Sequence, residues 1–339
     1  MGSSLLRYLK MKIHSDIYNR EWASITIKGS HLRSTPGRIS TNEKTGKLFN
    51  WQRPTTVFGS RQDIELHCFP GREYAYHYAS IVATYLSLQG RDPSVVSYIE
   101  PSPEDCIVPI LTSNLQKLGP VDVVVLGYVH GLTGLTGPGH WEYGDAHNEL
   151  FAWKTQRMPN GANVAFLGCR VSFWGDIAGN LVRALQQLCQ VKYVLYIGKL
   201  GSLKSEHIPN SVLATGNTTS VNGANVEWHN PLADILNEDP CVIQGRHKTL
   251  PSVLDETKKW LADHIGEFDW VDPEIGHMAL ASIAGGTEFG YLHIVSDNLA
   301  KKFCYDLSNE RLHQVLDDRK AIVTKIESRL ETFFQKRYK

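Results

Sequence analysis

The chain has 339 residues, of which 42% are hydrophobic, enough for one large α/β core with an addition or for two domains. Lysine plus arginine number 35 and aspartate plus glutamate number 35, so no net field draws the protein to nucleic acid or membrane, and a free small molecule fits better as a partner. Six scattered cysteines, Cys68, Cys106, Cys169, Cys189, Cys241 and Cys304, contain no C-x-x-C pair; this excludes a standard zinc site and a dense disulfide framework and suits reduced thiols in a cytoplasmic protein.

The opening MGSSLLRYLKMK lacks the continuous apolar stretch of a signal peptide, and no apolar run reaches the roughly 18 residues of a membrane span. Residues 1–62 read as an irregular N-terminal arm. From Ile27 to Gln62 the chain is rich in Ser, Thr, Gly, Lys and Arg, with Thr35-Pro36-Gly37 and Arg53-Pro54 as turn signals. Residues 63–118 read as an additional α/β segment, with a strand over 64–69 and a helix over 74–88 that puts Tyr78, Ile81, Val82 and Tyr85 on one side.

The core is expected over 119–339. VDVVVL at 121–126 is a buried strand followed by Gly127, Gly131, Gly134, Gly137 and Gly139, which lack the G-x-G-x-x-G order of a dinucleotide site. His130, His140 and His147 near Glu142, Asp145 and Glu149 match no ligand spacing, so no metal is expected. A strand over 163–168, a helix over 172–188 with Ile177, Leu181, Ala184, Leu185 and Leu188 inward, and a strand from Tyr193 form a βαβ unit. That last strand feeds Gly198-Lys199-Leu200-Gly201-Ser202, read as a loop whose backbone amides form an anion nest. Asn222-Gly223 predicts a hairpin turn just before Trp228, whose ring is a candidate stacking surface, as are those of Phe268 and Trp270. Further on, Arg246 and His247 precede Ser252, a predicted helix N-cap with Asp255 and Glu256 in the first turn.

The most informative stretch runs from Val271 to Asn298. Asp272 reads as an N-cap, Pro273 as the first helical residue and Glu274 as a first-turn acid whose charge suits the helix dipole. The helix continues through Met278, Leu280 and Ile283 to a stop at Gly285-Gly286, and His277, one turn after Glu274, reads as structural. A strand over 289–295 ends in the polar tip Ser296-Asp297-Asn298. Ligands collect at the carboxyl ends of strands in open α/β sheets, which makes Asp297 a candidate catalytic acid. A closing helix over 309–334 has apolar Leu312, Val315, Leu316, Ile322, Val323, Ile326, Leu330 and Phe333.

Together, the Gly198-Lys199-Leu200-Gly201 turn, the helix start at Glu274 and the strand end Ser296-Asp297 resemble, in order and spacing, the purine nucleoside phosphorylase and nucleosidase superfamily over about residues 119–335. The resemblance implies an α/β fold with a central mixed sheet flanked by helices, here with an N-terminal extension, assembled as a homo-oligomer. It implies cleavage of the N-glycosidic bond of a purine nucleoside or nucleotide, with no cofactor. By the same resemblance, Glu274 holds the ribose hydroxyls and Asp297 protonates N7 of the base. Ser296, His247 and Trp228 are expected to flank the base, and Gly198, Lys199 and Gly201 to contact phosphate. The chain also departs from the family. Tyr196 stands where many phosphorylases have a phosphate-binding arginine, Lys199 where they have serine or threonine, and Pro273 where a methionine packs under the sugar. Phe69-Pro70-Gly71-Arg72 only echoes the early phosphate loop. The acceptor is therefore left open between phosphate and water. A non-catalytic nucleoside-binding module and a ribosyl transferase stand as alternatives.

Overall fold

The computed structural model describes residues 4–30, 38–39, 48–50, 55–58, 60–143, 150–236, 239–307, 309–310 and 312–338. The expected class is found: α/β, with a mixed central sheet flanked by helices and an addition at the N-terminus.

The addition is a sheet in its own right. Ser24–Gly29 runs parallel to both Asp63–Cys68 and Val96–Ile99, while Thr55–Phe58 and Arg38–Ile39 extend the sheet antiparallel beyond Asp63–Cys68. The helix Arg72–Leu88 is the crossover, and it buries Tyr78, Ile81, Val82 and Tyr85 as its periodicity predicts. The irregular arm expected over 1–62 is thereby corrected. Leu5–Lys12 and Ser15–Asn19 are helical, Ser24–Gly29 is a central strand, and the 62/63 boundary falls inside one sheet. Ile25 and Ile27 alternate with polar residues and bury one face of that strand, but its partners lie about forty residues or more away, out of reach of a local reading. The turn signals Thr35-Pro36-Gly37 and Arg53-Pro54 lie outside the described residues.

Tyr193–Ser202 is the axis of the larger sheet. One edge pairs with the parallel strand Glu288–Asn298 along its whole length. The other edge pairs with Val123–Gly127 as far as Ile197, and then with the antiparallel strand Trp270–Asp272 at Gly201 and Ser202. The change of partner between Ile197 and Gly201 opens the sheet at its centre. Asn163–Cys169 and then Phe151–Arg157 continue beyond Val123–Gly127; His247–Thr249 and the hairpin Thr218–Val221/Ala224–Glu227 continue beyond Trp270–Asp272.

Alternation along the axis strand feeds two cores. Val194, Tyr196 and Leu200 face Ile177, Leu181 and Leu185 of the helix Asp176–Cys189, Met278 of Ile275–Gly285, and Arg72–Leu88. Leu195 and Ile197 face Ile322, Ile326, Leu330 and Phe334 of the long helix His313–Arg337. The sheet therefore lies between two helical layers, as its two-sided apolar character requires. Ile275–Gly285 stops where expected, with Gly286 at φ 68°, and Asn222-Gly223 makes the expected hairpin turn with both residues at positive φ.

Two local expectations are corrected. Gly198 to Ser202 form no loop and hence no anion nest, because pairing with Glu288–Asn298, through one register shift after Val295, keeps them in a strand. Ser252 caps no helix. Thr257 does, its hydroxyl accepting from the Trp260 amide at 3.1 Å, while Ser252 Oγ accepts from the Leu254 amide at 3.2 Å and bonds His77 Nδ1 at 2.8 Å.

Candidate active site

A cavity of about 530 Å³ sits at the opening in the sheet. Its floor is made by Tyr196 to Gly201, by Asp272, Pro273 and Glu274, and by Ser296 and Asp297. Its roof comes from the N-terminal addition, with Tyr8, Met11 and Lys12 from Leu5–Lys12 and Tyr74, His77 and Tyr78 from Arg72–Leu88. Gly198 is needed for this floor, since a Cβ there would lie 2.7 Å from the buried Nε2 of His293.

Asp272 ends its strand and starts the next helix. Its Oδ1 accepts from the amides of Glu274 at 3.0 Å and Ile275 at 2.9 Å, so its side chain caps the turn entering the helix as the sequence predicts, but the helix begins at Ile275, leaving Pro273 and Glu274 just before it. The same oxygen lies 3.0 Å from His247 Nε2, and Oδ2 lies 3.7 Å from His293 Nε2. Burial works to raise the Asp272 pKa, but the neighbouring imidazoles of His247 and His293 outweigh it and hold the carboxyl low, in its ionised form.

Glu274 has the opposite fate. The sequence reads it as a charged first-turn residue, yet it is buried between Asp272 and Glu73. Burial first, and then those two neighbouring charges, push its pKa well up, against an opposing bond from the Gly175 amide. The dipole's favourable field is too small to offset the burial of an anion beside two others. Tyr196, the residue that the resemblance sets against the family arginine, has its own pKa pushed well up, by burial first and then by the charges of Glu274 and Asp272. Glu73 Oε1 lies 2.7 Å from His277 Nε2, and Gly175, at φ 56°, lets the chain pass against Glu73. His277 is therefore a support for Glu73, in keeping with its structural reading.

Asp297 reaches the cavity through a bulge. The register of Glu288–Asn298 against Tyr193–Ser202 shifts between Val295 and Asp297, which sets Asp297 opposite Gly201. Ser296 Oγ donates to Asp297 Oδ1 at 2.7 Å. Burial raises the Asp297 pKa; the Ser296 bond opposes that, the charge of Glu310 adds to it, and Lys199 and Arg319 oppose it, with a net upward shift. Across the cavity, burial and then the charges of Asp297 and Asp255 raise Glu256 well above the usual carboxylate range.

The residues expected at the base divide. Ser296 lines the cavity and orients Asp297. His247 does not line it: fully buried behind Asp272, its Nδ1 bonds Thr219 Oγ1 at 2.8 Å. Trp228 also lies away, packed against Phe289 and Tyr291 with ring centroids 5.6 and 6.4 Å apart. Trp228, just after the hairpin Thr218–Val221/Ala224–Glu227, belongs to the apolar core, and His247 is held on the strand His247–Thr249. The aromatic wall is instead Phe173, Trp174, Tyr74 and Tyr78, with Trp174 stacked on His77 at 4.0 Å. Phe268 and Trp270 are core residues.

Among the residues expected at phosphate, Lys199 forms an ion pair with Glu310 at the cavity wall, and Glu310 also accepts from Arg319 at 3.1 Å. Arg72, in the echo of the early phosphate loop, pairs with Glu100 at the surface. Of the histidine-rich tract, His130 lines the cavity and Glu142 accepts from the Trp153 indole at 3.2 Å; Asp145, His147 and Glu149 lie outside the described residues. Glu256, Glu310 and Arg319 also line the cavity, and the charge of Glu73 acts on Glu274; they come from separate segments, so no local pattern in the sequence brings them together.

No protein-family model matches the chain. A curated protein of Cordyceps militaris, "Oxidoreductase cns1", is 23% identical over 236 residues, covering 62% of this chain. The chain spans only 29% of that protein's length. Among solved structures, Helicobacter pylori MTAN is similar at 12% identity and a TM-score of 0.49, covering 64% of this chain and 99% of that one. Uridine phosphorylase from Vibrio fischeri is similar at 13% identity and a TM-score of 0.48, covering 64% of this chain and 91% of that one. A methylthioadenosine nucleosidase from Arabidopsis thaliana is similar at 13% identity and a TM-score of 0.46, covering 64% and 95%.

Proposed function

We propose that the cavity binds a purine nucleoside or nucleotide and breaks its N-glycosidic bond, with water or inorganic phosphate as acceptor. The observation that carries this reading is the convergence of Asp297 and Glu274, both shifted toward the protonated form, on one aromatic-walled cavity. Such a bond breaks through a transition state with positive charge on the sugar and negative charge gathering on the base. Asp297, held in place by Ser296, donates its proton to N7 of the leaving base. Glu274 bonds the ribose hydroxyls, and the ionised Asp272 beside it favours positive charge on the sugar without moving in the reaction. Phe173, Trp174 and Tyr74 supply the faces between which a base stacks.

His247 and Trp228 act in this reading only as supports, His247 through Asp272 and Trp228 through the core. An acceptor phosphate at Gly198, Lys199 and Gly201 would have to share Lys199 with Glu310. A homo-oligomer in the cytoplasm, implied by the sequence resemblance, belongs to the same proposal.

The test is base release from a panel of purine and pyrimidine nucleosides and nucleotides, with and without phosphate, following both base and sugar products. Free ribose without phosphate makes the protein a nucleosidase, and phosphate-dependent ribose 1-phosphate makes it a phosphorylase. Absence of release from every compound overturns the reading.

A further inference from the structure

The roof of the cavity holds one hydrogen-bond donor that the protein itself leaves unanswered. His77, on the helix Arg72–Leu88, lines the cavity yet is only 3% exposed. Its ring stacks on that of Trp174 with centroids 4.0 Å apart, and its Nδ1 lies 2.8 Å from Ser252 Oγ. Trp174 is anchored in turn, its indole N–H donating to the Pro251 carbonyl at 2.8 Å. The imidazole is thus held on one face and at one nitrogen. Burial, and then the charge of Lys12, push its pKa down to about 3, so the ring is neutral and carries a single proton. Ser252 decides which nitrogen has it. That serine is wholly buried, and its Oγ already accepts from the Leu254 amide at 3.2 Å. Its hydroxyl hydrogen needs an acceptor, and among the described residues the acceptor bonded to it is His77 Nδ1. The ring proton therefore sits on Nε2. Among the described residues Nε2 meets no acceptor, and it is not sealed off from the cavity that the ring lines. An N–H fixed in this way costs free energy until a ligand brings it an acceptor.

We propose that His77 is a specificity-determining residue whose Nε2–H donates to a carbonyl oxygen on the base, so that the cavity takes an oxopurine nucleoside over an aminopurine one. The inference rests on the nucleoside reading of the cavity and names its base. Position favours the base over the sugar. The segment 251–256, which holds His77 and Trp174, also brings Glu256 to the cavity, and the charge of Asp297, the residue assigned to the base, acts on Glu256. Trp174, the ring on which His77 lies, is one of the faces assigned to stacking. An amino group in place of the carbonyl would set donor against donor, and a bare ring hydrogen would leave the imidazole N–H unanswered.

The test is calorimetric titration of the full chain carrying Asp297→Asn, a change that slows cleavage during the measurement. The ligands are inosine, adenosine, purine riboside, which has neither oxygen nor amino group on its six-membered ring, and 5′-deoxyinosine. Inosine should bind about tenfold tighter than adenosine or purine riboside, as one answered buried donor provides. Adding His77→Phe should erase that ratio, and His77→Gln, which retains an N–H, should keep part of it. Ser252→Ala works through the ring: it should shrink the ratio while nitrogen NMR shows His77 passing from the Nε2–H form to a mixture of both tautomers. Equal affinity for inosine, adenosine and purine riboside overturns the proposal, as does a ratio that survives His77→Phe. A His77→Phe chain that instead loses its discrimination between inosine and 5′-deoxyinosine overturns it too, since the donor then serves the sugar. Preference for inosine without base release by the unmutated protein leaves the role of His77 standing and removes the cleavage reading; base release with no such preference does the reverse.

Discussion

Burial raises the pKa of both Asp297 and Glu274, and the roles proposed for them can be tested separately. Asp297 must hold a proton to act, so Asp297→Asn should lower kcat for base release by about 10²–10⁴ while leaving binding largely intact; a steady-state assay with unchanged kcat removes it from the mechanism. In the unmutated protein the rate should fall as pH rises through the raised Asp297 pKa, since the ionised form has nothing to donate. Glu274 speaks through stability. Its folded pKa lies above the ordinary value of 4.5, so its contribution is fully present below that value and is lost as pH rises toward the folded one. Glu274→Gln should therefore raise the thermal midpoint at pH 7.5 relative to the unmutated protein, with the gap closing near pH 4; a gap independent of pH would show that Glu274 titrates normally.

At the scale of elements, the sequence announces what is local and is silent on what is not. Ile177, Leu181 and Leu185 recur every four residues and mark the helix Asp176–Cys189, and the Gly286 stop and the Asn222-Gly223 turn carry their own backbone signals. The carboxylates Glu274 and Asp297 are legible because each sits where an element starts or ends. Gly198 to Ser202 mislead because glycine suggests a loop, whereas pairing with Glu288–Asn298 makes them strand. Ser24–Gly29 escapes for the complementary reason: its partners lie far along the chain. Lys12, Glu310 and Arg319 meet only after the N-terminal helix, the segment before the last helix and that helix are packed, so no window contains their pattern. One glycine joins both kinds of information. Gly175 combines φ 56° with a Cβ position 2.5 Å from Glu73 Oε2. Gly175→Ala should cost about 1–2 kcal/mol from backbone strain, read as a lower urea midpoint at unchanged slope, and an unchanged midpoint would mean that the turn relaxes freely.

At the scale of the whole molecule, the cavity is closed by parts of one polypeptide, from Tyr8 to Arg319. If the protein assembles as a homo-oligomer, dilution through its dissociation should leave the activity per chain unchanged; activity that falls with the assembly, followed by sedimentation, would show that a second copy completes the site. The molecule balances 35 basic against 35 acidic residues, yet its central cavity is lined by Asp272 and Glu274 together, and the charge of Glu73 also acts on Glu274. Glu274 escapes this crowding by keeping its proton, and that makes ligand charge a matter of bookkeeping between protein and solvent. A sugar mimic bearing a cationic ring nitrogen would find its best partner in the ionised form, so its arrival should expel a proton into the buffer. Its heat of binding should then change with the ionisation enthalpy of the buffer chosen, and its affinity should climb with pH, whereas a neutral mimic of the same shape should show neither effect.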